Sequence, residues 1–141
     1  MSEQLGRRAG NAQLAWEALE LPGEPMDYHF VLQQAVSDLW AARRTDPGGL
    51  ETLETFARLD LALMEAAPEA VSFDHSPPEQ PFVRVTSVSR LITLLEREGA
   101  VAEALEVSRR LNRFRQGEDV TARLAEKAEG LAVEGSWERM R

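Results

Sequence analysis

The 141-residue chain carries 24 acidic against 16 basic side chains, a formal net charge of -8, with 43% hydrophobic and 28% charged residues. That balance fits one globular domain with a real core, since about 150 residues hide roughly 68–70% of their unfolded surface, and it is too apolar for a disordered chain. The charge repels duplex nucleic acid and anionic membranes, and the lack of cysteine excludes disulfides, thiolate metal sites and thiol nucleophiles; with neither a signal-peptide core nor a run of about 20 apolar residues, a cytoplasmic location is expected.

Leu5, Ala9, Ala12, Trp16 and Leu19 recur at spacings of four and three and predict a first helix. LPGEP at 21–25 cannot continue it. Asp27 is the expected cap of a second helix, whose stripe of Tyr28, Leu32, Ala35 and Leu39 is widened by Val31, Val36 and Trp40 and runs to about Arg44. TDPGG at 45–49 reads as a stop and restart, with Asp46 as N-cap and Pro47 at the first helical position. From Leu50 to about Ala67 there are two stripes, Leu50, Leu53, Ala57, Leu61 and Met64 on one and Phe56, Leu59 and Leu63 on the other, as in a helix packed between neighbours. Asp60 lies within this helix; because a buried unpaired carboxylate is costly, an ion pair with Arg43 or Arg58 is expected.

Pro68 ends that helix, and four prolines in APEAVSFDHSPPEQPF set a proline-rich connection at 68–82. Val85, Val88, Leu91, Ile92 and Leu95 predict a fourth helix to Glu98, with Thr86 or Ser87 as its cap. Gly99 separates this stripe from an offset one made of Val101, Ala104, Leu105, Ser108 and Leu111. Glycine accepts the left-handed conformation that closes a helix, so the chain is expected to reverse here, with Ala104 allowing the two backbones to approach. A last helix is predicted from about Glu118, with a narrow stripe of Val120, Leu124, Ala128 and Leu131 and a loose tail at 134–141, from which Trp137 either docks onto the body or hangs free.

VSRLITLLEREGAVAEALEVSRRL, residues 88–111, resembles one tetratricopeptide repeat, a helix–turn–helix unit of about 34 residues. Val88, Leu91, Ile92 and Leu95 match its first-helix core, Gly99 its turn glycine, and Ala104, Ser108 and Leu111 the small or apolar positions of its second helix. Val88 stands where the family carries tryptophan, RFRQGED replaces its closing proline, and the second and third helices lack the glycine-to-alanine spacing. The expected fold is therefore all-α, with five or six antiparallel helices as stacked hairpins in a single domain spanning 1–141.

No phosphate loop, HExxH, GxSxG or calcium loop appears. Asp27 with His29, or Asp74 with His75, supplies two metal ligands where zinc takes three or four, so neither metal nor cofactor is expected; His29 reads as a helix-surface or half-buried imidazole. Carboxylate pairs such as Glu103 with Glu106 read as solvated faces. Arg109, Arg110, Arg113 and Arg115 form the one basic cluster, suited to phosphate or a partner's acidic segment, or to the helix dipole and neighbouring acids. These observations predict a non-catalytic protein-interaction or adaptor module. Its partner would be another protein or a second copy, not nucleic acid or membrane, with those arginines, Phe73 and Phe82 as candidate contacts. The alternative is a small regulatory or enzymatic domain with a ligand pocket beneath the 72–84 loop, using Asp74, His75 and Arg84.

Overall fold

A computed structural model describes the backbone of residues 12–72 and 76–139, and the side chains as far as Val133. Among these residues the fold is all-α: α1 over 12–20, α2 Pro25–Ala41, α3 Gly49–Ala66, a short 3-10 turn Pro68–Val71, α4 Ser87–Arg97, α5 Val101–Asn112 and α6 Glu118–Arg139. The chain divides into two compact units, Met1–Leu91 and Ile92–Arg141, so α4 contributes to both. No helix among the described residues is long and apolar enough to cross a membrane.

In the first unit α2 begins two residues before the expected cap. Pro25 occupies the first helical position, where its missing amide costs nothing, and Asp27 instead reaches back to accept the Glu24 amide at 2.9 Å. Likewise α3 starts from Gly48 rather than Asp46. Helices α2 and α3 pack together through Leu32, Val36 and Leu39 on one and Leu53, Phe56, Leu61 and Met64 on the other, all buried. The Trp16 ring of α1 lies 4.9 Å from that of Phe56. The second α3 stripe is open in part, because Leu59 remains 40% exposed. The start of the proline-rich connection joins this core: Ala70 and Val71 are buried, the Val83 amide bonds to the Val71 carbonyl at 2.7 Å, and Ser72 pairs with Phe82 in an isolated bridge. The start of α4 is tied down by Gln33 of α2, whose side-chain oxygen accepts the Thr86 amide at 3.0 Å.

In the second unit α4 closes at Gly99, which sits at φ +84°. The Ala100 amide reaches the Leu95 carbonyl at 2.9 Å and the Gly99 amide the Glu96 carbonyl at 3.1 Å, the paired bonds of a Schellman cap. The helical rod is therefore broken here, and α5 restarts at Val101 with Ala104 and Ser108 fully buried. Helix α5 packs on α6, where Ser108 Oγ lies 2.5 Å from Thr121 Oγ1 and Thr121 bonds onward to Asn112 Oδ1 at 2.9 Å. Residues 134–139, read from the sequence as a loose tail, continue α6; the placement of the Trp137 side chain lies outside the described residues.

Glu96 accepts Arg123 Nη1 at 2.6 Å and Nη2 at 2.9 Å, and Lys127 Nζ at 3.0 Å. The Arg123 hydrogen bonds, then that of Lys127, hold the Glu96 carboxyl down to about 2 from an ordinary 4.5. A carboxyl depressed by folding contributes stability that is present above its unfolded value and is lost as pH falls through the folded one. Both cations are about half exposed, which screens the pair. Glu96→Gln is expected to cost about 1 kcal/mol at pH 7. In denaturant titrations its gap to the parent should narrow as pH falls from 4.5 towards 2; a gap constant across that window would contradict the ion cluster.

Two glycines should respond with opposite signs. A Cβ added at Gly99 meets no atom within 4 Å, so Gly99→Ala is penalised only through its left-handed backbone, by roughly 1–2 kcal/mol. Gly130 has the same open surroundings inside α6, without the positive φ. Gly130→Ala should therefore raise stability by about 0.5–1 kcal/mol in thermal unfolding.

Candidate functional site

The principal polar cluster of the first unit is built by three elements. His29 lies on the buried stripe of α2 with Leu32 and Val36, Asp60 on that of α3 with Phe56, Ala57 and Met64, and Ser87 is the first residue of α4. All three are 0% exposed. His29 Nδ1 stands 2.7 Å from Asp60 Oδ1, and Ser87 Oγ donates to Asp60 Oδ2, so each carboxylate oxygen receives one donor. The remaining ring nitrogen, His29 Nε2, is buried without a hydrogen-bond partner among the described residues.

The residue types are those of a serine hydrolase, but the order is different. In such enzymes histidine stands between serine and aspartate, takes the hydroxyl proton and passes it on. Here Asp60 stands in the middle and receives both donors, while His29 Nε2 faces no hydroxyl among the described residues. No atom of the trio is open to solvent. The arrangement acts as a polar clamp joining α2, α3 and the start of α4.

This geometry corrects two expectations. Asp60 pairs with neither predicted arginine: Arg58 forks onto Glu54 of its own helix at 3.1 and 3.2 Å, and Arg43 lies over the Trp40 ring at 4.3 Å. His29 is fully buried rather than half-exposed, and its Nδ1 is engaged by Asp60, which removes it from the suggested pairing with Asp27.

A surface feature absent from the sequence reading lies on the same unit. An apolar groove of about 410 Å³ runs between α1 and α2, lined by Leu14, Ala15, Ala18, Phe30, Val31 and Ala35 with Gln34 and Asp38 at its polar edge. Leu14 is 64% and Phe30 47% exposed. Phe30 follows His29 directly, so one turn of α2 sends its imidazole inward and its phenyl ring outward.

The predicted contact residues belong to both units, the arginines to the second and Phe82 to the first. Arg109 and Arg110 occupy the last turn of α5, complementing its dipole, and Arg113 and Arg115 the turn after it, with the Arg113 guanidinium 5.6 Å from the ring of buried Phe114. Arg110 is half-buried, Arg109, Arg113 and Arg115 are exposed, and Arg115 takes a φ of 57°. Phe82 is half-buried at its bridge to Ser72, and Arg84 is exposed. Phe73, Asp74 and His75 lie outside the described residues. Of the hairpin set, Val88, Leu91, Ile92, Leu95, Ala104, Ser108 and Leu111 are all buried.

Removing one member of a buried pair strands the other, whereas replacing the whole set with apolar groups removes every stranded partner. Asp60→Ala should cost about 3–5 kcal/mol in denaturant unfolding. His29→Leu combined with Asp60→Leu and Ser87→Ala should recover most of that loss. Additive losses across the three positions would contradict the clamp.

Compared with protein-family models, curated proteins and solved structures, the chain matches none of them.

Proposed function

We propose that this chain is a non-catalytic helical interaction module that seats an amphipathic helix, from another protein or a second copy, in the groove between α1 and α2. The observation that carries this reading is the groove itself: large apolar side chains, Leu14 and Phe30, stand exposed on the walls of a concavity with a polar edge. An apolar groove between two helices suits the apolar anchors of an amphipathic helix, spaced three and four apart. Gln34 Nε2 donates to Asp38 Oδ1 at 2.9 Å, leaving the second Asp38 oxygen to accept a donor from the bound helix. The seclusion of His29, Asp60 and Ser87 supports the non-catalytic reading, because the unit's chemically capable trio is spent on packing. The tetratricopeptide-like spacing across 88–111 supports a module built from helical hairpins.

A photo-crosslinking residue at Phe30 should give an adduct with a partner or a second copy, suppressed by Leu14→Glu. The same residue at exposed Glu129 on α6 should give none. Since Leu14 is largely solvent-exposed, Leu14→Glu should change stability by no more than about 0.5 kcal/mol. No adduct at position 30, or one indifferent to Leu14→Glu, would overturn the reading.

A further inference from the structure

A second surface, at the C-terminal end of α2, has different chemistry. Trp40 lies in the last turn of α2, Arg43 and Arg44 in the turn that follows, and Arg90 in the first turn of α4. The Arg43 guanidinium carbon stands 4.3 Å and that of Arg90 5.1 Å from the centroid of the Trp40 ring. Arg43 Nη1 also donates to the Trp40 carbonyl at 2.9 Å. Two like charges are thus drawn to one aromatic ring, an arrangement sustained by the attraction between a cation and the ring's electron-rich face.

The chain has 24 carboxylates for 16 cations, so unpaired arginine is not the default. Elsewhere Arg58 is held by Glu54, and Arg123 with Lys127 by Glu96. Among the described residues, however, Arg43, Arg44 and Arg90 form no ion pair. A guanidinium resting near an aromatic ring keeps its in-plane N–H donors for other acceptors. Anchored in this way, it loses less conformational freedom when it binds than a freely rotating side chain does. The patch therefore offers two restrained cations and a third beside them, none ion-paired with an acid among the described residues.

From this juxtaposition we infer that the Trp40, Arg43, Arg44 and Arg90 surface is a docking point for a carboxylate-bearing segment of a protein partner. Bidentate guanidinium geometry matches planar carboxylates. The net charge of -8 disfavours extended polyanions, whose charge reaches far beyond the patch, while a short acidic segment meets mainly the local cations. This surface is separate from the α1 and α2 groove, and either assignment can fail without the other.

The test uses the full chain and fluorescein-labelled hexaglutamate, followed by anisotropy at low ionic strength and by the NMR signal of the Trp40 indole, assigned with Trp40→Phe. Binding should shift that indole signal, and Arg43→Gln with Arg90→Gln should weaken it by about tenfold or more. Arg123→Gln, in the other unit, should leave it unchanged. Arg90→Gln alone, at an exposed position, should give a smaller loss in the same direction and keeps the test open if the double variant does not fold. Three results would overturn the inference: no binding, binding equally weakened by Arg123→Gln, or a shift of the indole reproduced by inorganic phosphate but not by the peptide.

Discussion

A carboxylate with no contact with water must have its oxygens filled by donors, and Asp60 is such a carboxylate. Meeting that requirement brings together residues far apart in the chain: His29 from α2 and Ser87 from the start of α4 must both lie against α3. The apolar stripes of α2 and α3 supply the driving force for their packing, but such surfaces tolerate small slides and rotations. Two hydrogen bonds to one carboxylate do not. They select the arrangement in which His29, Asp60 and the first residue of α4 coincide, with Gln33 holding the neighbouring Thr86 amide.

The same constraint bears on function. A histidine, an aspartate and a serine within hydrogen-bond reach resemble catalytic equipment until their order and exposure are considered. With aspartate central and all three groups sealed, their chemistry is committed to the fold. What the first unit presents outwards is of another kind: an apolar groove on α1 and α2, and a cationic patch around Trp40. On the proposed reading both would serve recognition, and they differ enough in character to engage different parts of a partner.

Much of the helical architecture was legible in the sequence because burial imposes a period of about 3.6 on apolar residues. Gly99 was legible for a related reason: few residues other than glycine adopt a φ of +84°, and the offset of the flanking stripes marked the break. Helix starts were less so, since Asp27 suits both the cap position and the third helical position, and Pro25 decides between them. Asp60 was recognised as needing a partner, but the partner lies 31 residues away and is not an arginine. One signal was there to find: His29 falls on the stripe of Leu32 and Val36, which turns it inward. The groove and the arginine patch escaped because periodicity reports what is buried. Phe30 and Arg90 lie off the buried faces, and their significance depends on which elements become neighbours.

The central claim is that Asp60 fixes the imidazole of His29 in the interior, and nitrogen-15 NMR of the ring reads this directly. The account requires a proton on Nδ1 that exchanges slowly with solvent and vanishes as a slow signal when Asp60 is replaced. An Nδ1 without a proton, or ring protons exchanging as fast as those of an exposed histidine, would contradict it.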